Sequence, residues 1–149
     1  MKLSVGQKAP YFEAYDQNGK KVTLNDFNGK KLVLYFYPKD NTPGCTEQAC
    51  NLRDNLEKLQ AMGYHIVGVS TDDTESHKKF ADKYSLNFTL LADVDKKIVQ
   101  DYGVWVEKSM YGKKYFGTAR TTFLIDENGI IEKIIEKVKT KDHATQILE

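Results

Sequence analysis

Six consecutive residues, Leu32, Val33, Leu34, Tyr35, Phe36 and Tyr37, are apolar or aromatic, and Pro38 closes the run. A stretch of that length without polar alternation reads as a buried central strand, covered on both faces. The polar loop that follows leads into a segment whose apolar positions change period. Ala49, Leu52, Leu56 and Leu59 recur at steps of three and four, with Gly63 as a stop, so a helix is predicted from Cys45 to about Met62.

The alternation continues along the chain. Tyr64–Ser70 has strand composition, Asp73 to Tyr84 reads as a helix behind the capping cluster Thr71, Asp72 and Asp73, and Thr89–Ala92 is a strand before a short helix near Asp95 to Tyr102. Thr121–Ile125 and Ile130–Val138 flank Asn128 and Gly129, which favours an antiparallel hairpin, although Ile130, Ile131, Ile134, Ile135 and Val138 also fit helical spacing. A last helix is predicted from about Asp142. This order predicts an α/β domain with a mixed central sheet and helices on both faces, the pattern of thioredoxin-like folds. Fold by itself assigns no chemistry.

Composition narrows the classes. With 149 residues, 40% of them hydrophobic, one domain spanning 1–149 is expected, burying roughly 70% of the surface its unfolded chain exposes. Twenty-two basic against twenty-one acidic residues give a net charge of +1, so no strong field favours nucleic acid or an anionic membrane. The apolar runs fall far short of the roughly 20 residues a membrane helix needs, and a soluble chain is expected. The first ten residues lack a secretory apolar core and a cleavage site, which points to a reducing cytoplasm. Cys45 and Cys50 are the two cysteines, too few for a disulfide-stapled scaffold.

If Thr42 is the N-cap, Pro43 falls at N1 and Cys45 at N3, beside amides with no helical partner. Helix N-termini carry partial positive charge and stabilise thiolates, the reactive form of the side chain. A buried, inert thiol is the alternative reading of Cys45. Cys50 lies five residues on, which on an ideal helix means about 140° of rotation and roughly 8–9 Å between Cα atoms. A disulfide spans no more than about 7 Å, so any bridge between the two requires local unwinding. Zinc is disfavoured, because a structural site wants further ligands and His65, His77 and His143 are scattered. A thioredoxin-type Cys-x-x-Cys is absent, and the histidines show no local signature of a hydrolase, though sequence alone leaves that class open.

The segments Pro38-x-x-x-Thr42-x-x-Cys45, Cys45-x-x-x-x-Cys50, Leu52-Arg53-Asp54, Gly103-Val104-Trp105 and Arg120-x-x-Phe123-Leu124-Ile125-Asp126 follow one another in this chain. In these it resembles the peroxiredoxins, and among them the bacterioferritin comigratory protein or peroxiredoxin Q group, over nearly its whole length. The resemblance implies a thiol peroxidase for hydrogen peroxide and organic hydroperoxides, with no metal or other cofactor. Cys45 would be the peroxidatic thiol, oxidised to a sulfenic acid, and Cys50 the resolving thiol that closes an intramolecular disulfide, which thioredoxin or a similar dithiol reduces. Thr42 would hydrogen-bond the thiolate and the peroxide, Arg120 would favour the thiolate and hold the transition-state oxygens, and Pro38 would shield the sulfur from water. The Gly44 and Cys45 amides would stabilise charge developing on the leaving oxygen. A monomer is implied as well.

Plainer readings stand beside these. Thr42 can be a helix cap alone, and Arg120 a surface ion-pair residue. Arg53 either supports the site or lies on a solvated helix face. Trp105 reads as core packing before a substrate surface, and Glu47 and Gln48 as ordinary first-turn residues. A peroxide sensor, in which oxidation of the cysteine pair remodels the helix without sustained turnover, is the alternative function. A general disulfide reductase is a third.

Overall fold

The computed structural model describes residues 2–149. In chain order the strands and helices are β1 (Glu13–Asp16), β2 (Lys21–Thr23), a 3-10 turn (Leu24–Phe27), β3 (Lys31–Phe36), α1 (Pro43–Asp54), α2 (Leu56–Ala61) and β4 (Tyr64–Ser70). They continue with α3 (Thr74–Tyr84), β5 (Thr89–Ala92), α4 (Lys97–Asp101), β6 (Trp105–Met110), β7 (Lys113–Thr118), β8 (Thr121–Ile125), β9 (Ile131–Ile135) and α5 (His143–Leu148).

Among the described residues, seven strands form one mixed sheet in the order β2-β1-β5-β4-β3-β8-β9. β3 is central, parallel to β4 and antiparallel to β8. Its side chains alternate between two apolar layers, as the pleat dictates. Val33 and Tyr35 face the layer built with α1, α2, α3 and α5, whereas Leu32, Leu34 and Phe36 face the layer of α4 and the N-terminal segment. The apolar run therefore has cover on both faces, and the mixed sheet with helices on either side is as expected.

The helix predicted from Cys45 to Met62 differs in two ways. It begins two residues earlier, at Pro43, and it breaks at Asn55, whose Nδ2 donates to the Asn51 carbonyl at 2.8 Å. A short amide side chain that takes a carbonyl four residues back competes with the helix ladder. The strand expected over Ile130–Val138 is shorter, Ile131–Ile135, and carries a register shift opposite Leu124 and Ile125. Two hairpins were not expected from the sequence. One is β1–β2, around the turn that includes Gly19. The other is β6–β7, turned by Tyr111 and Gly112, both at positive φ. The latter pairs apart from the main sheet and is largely exposed, so it shows no core-facing alternation to read. No helix of the described residues is long and apolar enough to cross a membrane.

Candidate active site

The site forms where β3 ends and the chain turns into α1. Thr42 has extended N-cap geometry (φ −98°, ψ 157°), Pro43 occupies the first helical position and Cys45 the third. Proline costs nothing there, because its missing N–H is one the helix would leave unpaired. Cys45 is 1% exposed and belongs to the layer of Tyr35, Tyr37, Ala49 and Leu52. Cys45 and Cys50 are both free thiols on the same unbroken helix, and Cys50 is half-buried.

Register brings Arg120 to this point. Phe36 pairs with Thr121, so the residue just before β8 stands beside the end of β3. Arg120 Nη2 donates to Cys45 Sγ at 3.5 Å, and Nη1 donates to Gln48 Oε1 at 2.7 Å. A planar guanidinium can serve both at once, which a lysine ammonium cannot do in the same fixed geometry. A fixed positive charge beside the sulfur can stabilise negative charge that develops on an oxygen there. Gly44 makes room for it: a Cβ at that position would stand 3.1 Å from Nη2.

The other expected residues fall at the same loop with different contacts. The Thr42 hydroxyl donates to the Lys39 carbonyl at 2.9 Å and makes no cap bond; its hydrogen is not directed at the sulfur. So committed, the oxygen still accepts, and can take the O–H of a hydroperoxide. Pro38 is half-buried at the start of the loop. Arg53 does not reach the thiol: its Nη1 donates to the Tyr84 carbonyl at 2.6 Å and its Nε to Asp54, tying α1 to the end of α3. Trp105 is half-buried and stacks on Phe116, which agrees with packing.

Sequence reasoning passed over Gln48. It is fully buried, accepts from Arg120, and keeps a buried Nε2 without a partner. The signal was present: Cys45, Gln48, Ala49 and Leu52 are spaced 0, 3, 4 and 7 along one helix face, and a polar residue inside such a buried stripe needs a partner. Lys108 adds to the positive surroundings. Its Nζ donates to the Thr118 carbonyl at 2.6 Å, and burial, with the Arg120 charge, pushes its pKa down. Burial, with the nearby Cys45, pushes the Tyr35 phenol well up, so it stays protonated; its buried hydroxyl has no partner.

A cysteine on the first turn of a helix, at the end of the central strand of a thioredoxin-like sheet, with an arginine fixed over its sulfur, defines a thiol enzyme that acts on an electron-poor oxygen or sulfur. The AhpC/TSA family model matches residues 5–134. The chain is 48% identical over 146 residues to Peroxiredoxin Bcp of Escherichia coli K12, covering 98% of this chain and 94% of that one. Xylella fastidiosa PrxQ superposes with a TM-score of 0.93 at 31% identity, covering 99% of this chain and 94% of that one. A Xanthomonas campestris bacterioferritin comigratory protein, whose structures address its alkyl peroxide reduction activity, gives a TM-score of 0.87 at 36% identity, covering 92% of this chain and 87% of that one. The chain belongs to the AhpC/TSA family, as a peroxiredoxin of the Bcp and PrxQ group. It is a thiol peroxidase, with peroxides as substrates and a thiol as reductant.

Proposed function

We propose that Cys45 is the peroxidatic thiol and Cys50 the resolving thiol of a thioredoxin-dependent cycle acting on hydrogen peroxide and organic hydroperoxides. The observation that carries this reading is Arg120 Nη2 at 3.5 Å from Cys45 Sγ, at the third position of α1. The Cys45 thiolate attacks the terminal peroxide oxygen, the O–O bond breaks, and the sulfur becomes a sulfenic acid. The alcohol or water leaves after taking a proton. Arg120 and the first-turn amides of Gly44 and Cys45 stabilise the negative charge on the departing oxygen. Thr42 accepts from the peroxide O–H, and Pro38 walls the sulfur from bulk water.

The Cys50 thiolate then attacks the sulfenic sulfur, the S–O bond breaks as the disulfide forms, and the hydroxide leaves as water after taking a proton. Helix α1 has to unwind for this step, because five helical residues hold the two Cα atoms beyond disulfide range. Thioredoxin or a similar dithiol returns both thiols by exchange. The protein acts as a monomer in the cytoplasm, as one domain over residues 1–149.

Intact mass of the reduced protein, before and after one equivalent of hydrogen peroxide, tests the assignment. The expected result is a loss of about 2 Da, mapped to a Cys45–Cys50 bridge. Cys45→Ser abolishes turnover, and Cys50→Ser leaves Cys45 oxidation intact while stopping recycling by thioredoxin. Normal turnover in Cys45→Ser overturns the assignment.

A further inference from the structure

The loop that carries Thr42 holds a second group of buried polar side chains, unused in the chemistry above. Asp40 is 7% exposed and His77, on α3, is fully buried. His77 Nδ1 lies 2.6 Å from Asp40 Oδ2, and His77 Nε2 lies 2.8 Å from the Leu91 carbonyl. A carbonyl only accepts, so Nε2 donates there, which leaves Nδ1 for the hydrogen bond with Oδ2. Asp40 also accepts from the Tyr37 hydroxyl at 2.6 Å and from Ser76 Oγ at 2.8 Å. Its backbone N–H donates to Asp72 Oδ2 at 2.8 Å, and Ser70 Oγ holds that same oxygen at 2.7 Å. Asp40, Asp72 and His77 bring possible ligand atoms within 4.8 Å of one another, yet each is already engaged by a protein partner.

These partners belong to the ends of β3 and β4, to α3 and to β5, all outside the helix that has to unwind. Beyond Cys45, α1 is held through Gln48 by Arg120 and through Arg53 by the Tyr84 carbonyl, and its remaining polar contacts are of another kind. Asn51 Nδ2 donates to the Lys141 carbonyl and Asn51 Oδ1 accepts from Ala144 N, both at 2.8 Å, and Thr140 donates to Glu47. These are exposed or half-buried side-chain contacts to the C-terminal segment. The two ends of α1 are thus fastened unequally, with the buried Asp40–His77 anchor on the Cys45 side.

We propose that the Asp40–His77 pair is a positioning device that pins the start of α1. It holds residues 38–42 and the first helical turn in the geometry that receives peroxide, and it sets the resistance to the unwinding that a Cys45–Cys50 bridge requires. This rests on the reading of Cys45 and Cys50 given above. His77 is a positioning residue: it acts on the sulfur through Asp40 and the loop.

The test is rapid mixing of the reduced full chain with hydrogen peroxide, acid quenching and intact mass, which separates Cys45 oxidation from bridge formation. In His77→Leu, oxidation slows about 10- to 100-fold, as loss of pre-organisation implies. Bridge formation from the sulfenic acid becomes several-fold faster, and the sulfinic product at excess peroxide falls, because resolution outruns further oxidation. Ser76→Ala, which removes one bond to Asp40, moves both rates in the same directions by less. His77→Asn, which keeps a donor toward Asp40, restores part of the loss. Val99→Ala, in the opposite apolar layer, is the control for lost stability and leaves both rates unchanged.

Both rates within twofold of wild type in His77→Leu, or both slowed together, overturn the proposal. If His77→Leu fails to fold, Ser76→Ala and Asp40→Asn decide, and unchanged rates in both overturn it. Wild type is read in the same experiment: absence of a bridge there overturns the assignment of Cys50 and this proposal with it, whereas a normal bridge with unresponsive variants overturns the anchor alone.

Discussion

Gly44→Ala adds one carbon at the second position of α1, where the backbone has no positive φ and alanine fits the helix. Helix propensity alone then favours the variant by up to about 1 kcal/mol, the glycine-to-alanine difference in a helix interior. For a chain of this size that raises the melting temperature by about 3 °C. The same carbon would stand 3.1 Å from Arg120 Nη2 and 3.9 Å from its Cζ. Contact that close makes the guanidinium yield by a few tenths of an ångström, and it is not free to do so. Nη1 is held at 2.7 Å by Gln48, itself fully buried, so Arg120 either stretches that bond or withdraws from Cys45 Sγ.

A hydrogen bond to a charged group contributes about 1.5–3 kcal/mol, and weakening it by half slows Cys45 oxidation by about 4- to 13-fold. The assay is single-turnover oxidation by hydrogen peroxide in stopped flow, with a thermal melt of the same reduced sample. Stability and rate are expected to move in opposite directions. An unchanged rate with a raised melting temperature would refute the role given to Arg120 and the space at Gly44. A lowered melting temperature would instead show that the helix start does not accept a side chain.

Two further expectations use other contacts. Gln48→Ala frees Arg120 Nη1 from its acceptor and slows Cys45 oxidation by about tenfold, whereas Gln48→Glu, which keeps an acceptor there, retains most of the rate in the same stopped-flow assay. His143 is buried between Thr122 Oγ1 and Gln146 Oε1, and burial, with the Arg120 charge, pushes its pKa below the usual histidine value. The unfolded chain then binds the extra proton first, so the stability His143 contributes is complete above about pH 6.5 and is lost as pH falls below it. Urea melts at about pH 7.5 and 5.5 show a drop that His143→Gln reduces.

How much of this was legible depended on burial. The run Leu32–Tyr37 announced the central strand because both its faces are covered, and Ala49, Leu52 and Gly63 marked a helix by period and stop. The thiol at the helix start followed from Thr42 and Pro43, whose N-cap and N1 positions have local causes. The β6–β7 ribbon did not show, since Lys113–Phe116 are exposed in succession and leave no alternating pattern. Nor could the pairing of Arg120 with Gln48, or of Asp40 with His77, be read. Gln48 and Arg120 are 72 residues apart, and Asp40 and His77 are 37 apart. Those pairings are set by the strand register of β3, β4 and β8, which no local signal encodes. Thr42 illustrates the converse: its position was legible, but the choice of the Lys39 carbonyl as partner is a matter of loop geometry.

The break at Asn55 gives the fold a way to combine a rigid site with the helix opening that the proposed Cys45–Cys50 bridge requires. Continuous through Met62, the helix would have carried Cys45, Cys50, Leu56 and Leu59 on one rod, and unwinding any part of it would have strained the whole. Instead α1 ends at Asp54, while Leu56 and Leu59 of α2 remain buried in the same layer as Ile66 of β4. Opening α1 leaves α2 docked, so the apolar surface exposed is limited to Cys45, Ala49 and Leu52 and their neighbours. A smaller exposed area means a smaller free-energy cost, since that cost scales with the apolar surface returned to water. On the other side, Asp40 anchors the chain before the helix begins. Both cysteines thus lie in a 12-residue segment with a fixed point at each end. Local opening is then separable from global unfolding, because the strands that carry the core need not part for the thiols to meet.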